Sequence, residues 1–466
     1  MGMTGCGGGG GGETAAPPPS SVGSPAPAPA PAPAPPAITS AATAALNDGF
    51  GGVFYAARAT VPSGHAVVWS LSGADAAQFT VDAATGSLSF KAAPNVESPA
   101  DAGSDNRYDV VLTATDGALT AIQALQVTVN AWNKGGASAL PAPVVAVPVA
   151  QPTGSVANLK VLPWAGFSSA VSYSFDDSSP SQIDHWPDLK AQNVRSTFYV
   201  NPSGNWYAGY DAAMQDAVAK GNEIGNHTYH HCAFADLGGA NLAACSAGWS
   251  VDQEMDDTTS YIKSHFGQSD VWTTAYPFGD LGYQAAAQAR FFIGRSVNPG
   301  FMASGDTLDP FALQVVAHAG DPTPVGGDPV SVFNADLDAS ASQGKWTVFL
   351  FHTLLPTTNN WGLGEGVAAV TGSMQYAKGL GTVWIDSVVN IGAYWIGQKL
   401  VTNASVASSG STKTWSWVLP PHFPPGRVLR VTVDGGSLSQ GGKTLAWDGH
   451  GYYEVALDAG SLAWAP

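Results

Sequence analysis

Two short stretches hold the side chains best suited to chemistry. Asp176 and Asp177 close the run Ala170–Phe175, and farther along Asn226-His227-Thr228-Tyr229-His230-His231 sets His227 and His231 four positions apart. A catalytic zinc-type site uses about three protein ligands and leaves a position for water, whose pKa falls toward ~7. One carboxylate and two imidazoles complete that set and leave the other carboxylate over as a base. His227 and His231 can face the same way on a helical turn or in a tight loop. Neighbouring side chains on a strand point to opposite faces, so Asp176 and Asp177 divide the two roles. His230 falls outside the four-residue spacing and reads as a supporting or surface residue.

Ser174-Phe175-Asp176-Asp177 followed by His227-Thr228-x-x-His231 resembles the first two motifs of the polysaccharide deacetylases, carbohydrate esterase family 4. The resemblance implies Asp176 as the catalytic base and Asp177, His227 and His231 as ligands of a divalent metal. Zinc is the first choice, with cobalt or another transition metal as alternatives. Ala275-Tyr276-Pro277-Phe278-Gly279 is similar to the family's Arg-x-Pro-Tyr segment, which implies an oxyanion-holding backbone N–H at Phe278 and substrate contacts at Tyr276 and Pro277. Val348-Phe349-Leu350-Phe351-His352 is similar to the family's final strand and implies that His352 is the catalytic acid.

The departures carry expectations too. Ala275 stands where the family has an Arg beside the base, and without a neighbouring cation Asp176 is less favoured as the anion. Phe278 replaces the family Tyr, but the backbone N–H survives the change. No stretch matches the fourth motif, whose Asp tunes the acid His. The implied activity is removal of acetyl groups from an N-acetylglucosamine-containing polysaccharide, whether chitin-like, peptidoglycan or exopolysaccharide. An acetyl xylan O-esterase is one alternative. A cell-surface carbohydrate-binding or adhesion protein with an inactive barrel is another.

These residues need a scaffold, and the pattern over 159–400 supplies one. Apolar runs alternate with helix-length segments: Ala170–Phe175, a helix over 181–192 with Ile183, Trp186 and Leu189 on one face, then Ser196–Val200, and so on to Trp395. Repeated strand–helix units predict an α/β fold with a parallel sheet, here a distorted (β/α) barrel. Asp176, Tyr276 and His352 fall at the C-terminal ends of strands, where such barrels keep their sites. His185, His265 and His318 read as structural. Trp206, Trp361 and Tyr283 read as core, with sugar stacking the alternative.

The flanks differ in rhythm. From 38 to 132 apolar residues alternate with period two, as at Phe79 and Val81, Leu88 and Phe90, and Tyr108, Val110 and Leu112, with Asp82–Gly86 as a hairpin turn. This predicts a β-sandwich, and it resembles a cadherin-type repeat. The acidic run of that family's calcium linkers is missing at Asn130-Ala131-Trp132-Asn133, so no calcium is expected. Residues 133–158 read as a Pro-containing linker and 401–466 as a small β-module, whose Trp415 and Trp417 read as core before carbohydrate platform.

Residues 1–37 start with a lipobox-like Met3-Thr4-Gly5-Cys6 and continue as a Gly and Pro-Ala spacer. Lipidation at Cys6 would be the only membrane link, and the expected location is the bacterial cell envelope, in the periplasm or at the outer surface. Cys232 and Cys245 either bridge a loop beside His231 or stay as two buried thiols. The net charge of −17 argues against a nucleic-acid partner. An acetylated polysaccharide is the expected one.

Overall fold

Residues 8–12, 34–62, 65–117, 119–132, 140–204, 207–237, 245, 248–318, 329–358 and 363–466 are described by a computed structural model. Cys6, Trp206, Trp361 and most of the Gly/Pro-Ala tract lie outside them. No helix among the described residues is long and apolar enough to cross a membrane.

The barrel strands are short and buried on both faces, which is why they read as apolar runs without alternation. They are β1 (Ser169–Phe175), β2 (Thr197–Val200), β3 (Glu223–Asn226), β4 (Thr273–Ala275), β5 (Ile293–Pro299), β6 (Leu313–Val315) and β7 (Lys345–Phe351). They pair in parallel in the order β7-β1-β2-β3-β4-β5-β6. A parallel bridge between Val316 and Phe349 then brings the end of β6 back to β7 and closes the ring. β8 (Val383–Ile385) pairs with the first half of β1, while β2 pairs with its last two residues, and this stagger distorts the barrel.

Helices cover the ring, among them α1 (Val251–Phe266), α2 (Val330–Gln343), α3 (Val367–Leu380) and α4 (Val388–Thr402). A Ser250/Gln253 capping box starts α1 and Gly267, in the left-handed region, ends it. The helix expected over 181–192 is two short ones, Pro180–Asp184 and Trp186–Lys190. Pro187 has no N–H to continue the ladder, and His185 between them leaves helical geometry at φ −99°, ψ 8°.

α4 is apolar around most of its circumference and is buried accordingly. It passes beneath the ring. At its start, Val388 N–H donates to Thr197 Oγ1 and Val389 N–H to Glu223 Oε2, and farther on Trp395 Nε1–H donates to Ala303 O. Gly392 lies where a Cβ would come within 2.3 Å of Ile293 Cδ1, so the helix axis sits close under β5. Glu223 also accepts from Thr197 and Thr273 hydroxyls and is fully engaged at this closed end.

The N-terminal segment is a β-sandwich. One sheet runs Thr43–Asn47, Leu119–Asn130, Arg107–Asp116, Val68–Ser72, and the other Tyr55–Ala56, Ser87–Phe90, Phe79–Val81. Phe79, Phe90 and Tyr108 meet between them, with Phe79 and Phe90 centroids 4.3 Å apart. Asp82 Oδ1 accepts from the N–H groups of Ala84 and Thr85 and shapes the hairpin turn.

The sandwich sits on the barrel. Lys378 Nζ, near the end of α3, donates to Asp48 Oδ2 and to Gln192 O, and Trp132 Nε1–H donates to Asp48 O. Residues 140–158 form a strap between the outer modules. Asn47 Nδ2 donates to Ala142 O and Ala56 N–H to Ala146 O on the sandwich side; Val149 N–H reaches Gly449 O and Gln151 reaches the Tyr453 hydroxyl on the other. The C-terminal segment holds a five-stranded and a three-stranded sheet, the latter taking in Lys160–Val161. Trp415 and Trp417 are buried in its core. Arg430, also buried, donates to the carbonyls of Leu140, Pro141 and Ala165. These joints lie at the N-terminal ends of the barrel strands and leave the other end open.

Candidate active site

At the open end, Asp176 and Asp177 follow β1, His227 to His231 follow β3, Tyr276 to Gly279 follow β4, and His352 follows β7. Gln182 ties two of these ends together: its Nε2 donates to Asp176 O at 2.6 Å and to His352 O at 2.9 Å. Asp177, Ser178, Thr228, His231 and Phe278 all have φ between 53° and 71°, outside the comfortable range of L-residues. Each such residue costs ~1–3 kcal/mol, and such strain concentrates where side chains must be aimed.

Asp177 Oδ1 lies 3.2 Å from His227 Nε2 and 3.3 Å from His231 Nε2. The three ligand atoms are all within 4.8 Å of one another. His227 Nδ1 faces Ala275 O at 2.9 Å and must donate to it, because a carbonyl only accepts. With Nδ1–H so engaged, a neutral His227 turns the lone pair of Nε2 toward the Asp177 carboxylate, and a cation, proton or metal ion, is what fits between them. Burial pushes the Asp177 carboxyl up, but the His227 hydrogen bond and the charges of His227, His352 and His231 outweigh it and hold the group well below the usual carboxylate range. Burial disfavours the His227 imidazolium, yet the two carboxylates raise it above its ordinary 6.5, whereas burial and the His227 charge push His231 down to about 4.

The loop carrying the imidazoles is pinned at several points. Asn226 Nδ2 donates to Met255 O, Thr228 N–H to Asn226 Oδ1, and both N–H and Nδ1 of His230 bond the buried carboxylate of Glu254 on α1. Cys232 and Cys245 are joined in a disulfide with Cα atoms 5.9 Å apart, and the Tyr283 hydroxyl donates to Cys232 O. The two alternatives for these cysteines therefore resolve to the bridge, and His230 is a supporting residue held by a buried carboxylate.

Asp176 is where sequence reasoning falls short. Its Oδ2 is bonded by Arg295 on β5, whose guanidinium is wholly buried and lies 5.0 Å from the Tyr199 ring centre. Register explains the arrangement: Ala275 on β4 pairs with Arg295 on β5, so the cation absent from one strand arrives from its neighbour. The expectation that Asp176 lacks a neighbouring cation is corrected on that ground. Asp176 Oδ1 is buried and has no protein partner.

The remaining candidates divide. His352 Nε2 lies 3.8 Å from Asp177 Oδ2, within the cluster. Phe278 is exposed, its ring edge-on to His231 at 4.7 Å. Tyr276 and Pro277 are buried, and the Tyr276 hydroxyl donates to Phe311 O, so their side chains support the loop from beneath. Arg295, Gln182 and Glu254 were not singled out in the sequence. A lone Arg between Ile293 and Val297 was the one available signal.

Residues 168–292, which include Asp176, Asp177, His227, His231 and Tyr276 to Phe278, match the family model for polysaccharide deacetylase. This segment is a polysaccharide deacetylase domain. The deacetylase match stops short of Arg295 and His352, which the closed ring brings to the same end. The protein is thus a deacetylase-type hydrolase. Among solved structures the chain is similar to a peptidoglycan deacetylase from Bacillus subtilis, at 16% identity over 48% of this chain and 89% of that one, with a TM-score of 0.31. It is also similar to the Xyl-CE4 domain of a multidomain xylanase from the hindgut metagenome of Trinervitermes trinervoides, at 18% identity over 48% of this chain and 88% of that one, TM-score 0.31. Human protocadherin-24 EC1-2 is similar at 16% identity over 28% of this chain and 67% of that one, TM-score 0.20. A search of the curated proteins finds no match.

Proposed function

We propose that the protein is a metal-dependent deacetylase that removes acetyl groups from an N-acetylglucosamine-containing polysaccharide. The observation that carries this reading is the convergence of Asp177 Oδ1, His227 Nε2 and His231 Nε2 beside a second carboxylate that Arg295 holds apart. Asp177, His227 and His231 would hold a divalent metal, zinc first, which would supply Lewis acidity toward an acetyl carbonyl and water. Asp176, with Oδ2 fixed by Arg295, keeps Oδ1 free to take a proton from water as the water oxygen adds to the acetyl carbon. The Phe278 N–H donates to the oxygen on which negative charge develops. His352 gives a proton to the departing nitrogen as the C–N bond breaks, leaving acetate and a free amine. The same reading includes export and a lipid on Cys6, with the Gly/Pro-Ala tract as a spacer.

Two substitutions test the roles. Asp176→Asn should lower acetate release by about 10²- to 10⁴-fold while metal content stays at the wild-type level. His227→Ala should lose both. An Asp176→Asn protein that turns over at the wild-type rate would remove the base from this account.

A further inference from the structure

Among the described residues, the loops of the open end hold no Lys and no Arg. In the sequence none occurs in 176–189, 201–219, 227–262 or 276–289, which follow β1 to β4, in 296–344, which takes in the end of β5, β6 and α2, or in 352–377, which follows β7. Arg290 is paired with Asp252 and Asp256 in the first turns of α1, and the other cations of these units return at the opposite end of the barrel. Lys190, Lys220, Lys263 and Lys378 stand in or beside the last turn of the helix that follows a loop, where the helix dipole also favours them. Arg295 is spent on Asp176 inside the ring.

What the rim offers instead is rings and carboxylates. Phe278 is 67% exposed against His231, and Tyr229 and Trp249 stack at 5.1 Å with planes 25° apart. Asp280 accepts from Phe234 N–H and Gly282 N–H beside Phe278 and the exposed Leu281. Within the cleft, Asp176 Oδ1 is buried without a partner. Such a face can lay rings against the apolar side of a sugar and, beyond Arg290, already paired with two carboxylates, and a metal held by Asp177, His227 and His231, has no cation with which to answer a carboxylate on it. The net charge of −17 adds a field of the same sign.

We infer that this site takes aminosugar polymer that is uncharged or already carries free amines, and turns away polyanionic glycans such as those bearing lactyl carboxylates or uronic acids. The inference rests on the deacetylase reading and narrows it. It has a consequence for the course of reaction: each acetyl group removed turns a neutral acetamide into an ammonium, so a partly processed chain binds this face better than a fresh one.

The test compares acetate release from three oligomers of equal length: fully N-acetylated glucosamine, the same chain with half its amines free, and one carrying lactyl carboxylates. Rates are taken at roughly 20 mM and roughly 300 mM salt, because screening shortens from tens of ångströms to a few over that range. At low salt kcat/KM should rank amine-bearing above neutral above carboxylated, with steps of about 3- to 10-fold. High salt should bring the charged chains toward the neutral one, whose own rate stays put. A Leu281→Lys variant should lift the carboxylated chain and lower the amine-bearing one, and Leu281→Gln should do neither. Calorimetric binding of the same oligomers to the Asp176→Asn protein separates two failures. No acetate from any chain but the same binding order sinks the deacetylase reading and keeps the charge selection; carboxylated chains bound or used as well as neutral ones at low salt overturns the inference.

Discussion

Arg295 decides whether the base of this site is equipped for its task. Ala275 alone suggests a degenerate enzyme, because the cation usual at that place is gone, yet a guanidinium from the next strand occupies the same carboxylate. Replacing Arg295 with Met should leave Asp176 as a buried charge without its partner, costing about 3–5 kcal/mol of stability. Activity should fall by more than 10²-fold. Arg295→Lys should recover part of both, and urea unfolding with acetate release on the three proteins checks it. An Arg295→Met enzyme of wild-type rate would make the pair merely structural. The convergence of Asp177, His227 and His231 was legible because the pattern is local: a carboxylate pair and an i, i+4 imidazole pair announce themselves within a few residues. Arg295 was not, because its meaning depends on which residue of β4 it lies beside, and register between strands leaves no mark in either strand's own sequence.

Among the elements, α4 and the carboxylate at its start close the barrel floor. Glu223 accepts from two hydroxyls and a helix N-terminal N–H, and burial still lifts it above its ordinary 4.5. A raised carboxyl means the folded protein holds that proton more tightly than the unfolded chain. Its effect on stability is therefore unfavourable as pH rises from about 4.5 to the folded-state value, and level beyond it. Relative to Glu223→Gln, the wild-type protein should lose about 1.4 kcal/mol for each unit of that rise. Urea titrations of both proteins from pH 4 to pH 8 measure the difference, and a wild-type protein that gains on the Gln variant over this range would reverse the sign. The alternating strands of the sandwich and the buried runs of the barrel were readable as such. The floor was not, because a helix apolar nearly all round carries no face to say what it packs on, and the helix expected over 181–192 ignored the break that Pro187 forces.

For the whole molecule, the question is why three modules ride together. Residues 140–158 read as a linker from their prolines, but their backbone groups bond the sandwich on one side and the C-terminal sheets on the other. Such pairing is invisible to periodicity, since it uses carbonyls and N–H groups that every residue has. Lys378 and Asp48 form the buried ionic contact between sandwich and barrel. Lys378→Met should cost about 3–5 kcal/mol at that joint and split one calorimetric transition into two, the sandwich melting first; a single unshifted transition would mean the joint does not couple them. Because these contacts gather at the closed end, the open end with Asp177, His227 and His231 is left clear, as the proposed polymer substrate requires. The most direct test of the account is acetate release from N-acetylglucosamine oligomers and from acetylated xylan before chelation, after it, and after zinc or cobalt is returned. The account predicts release from the glucosamine chains that vanishes with the chelator and comes back with metal. Release untouched by chelation, or release from xylan alone, would contradict it.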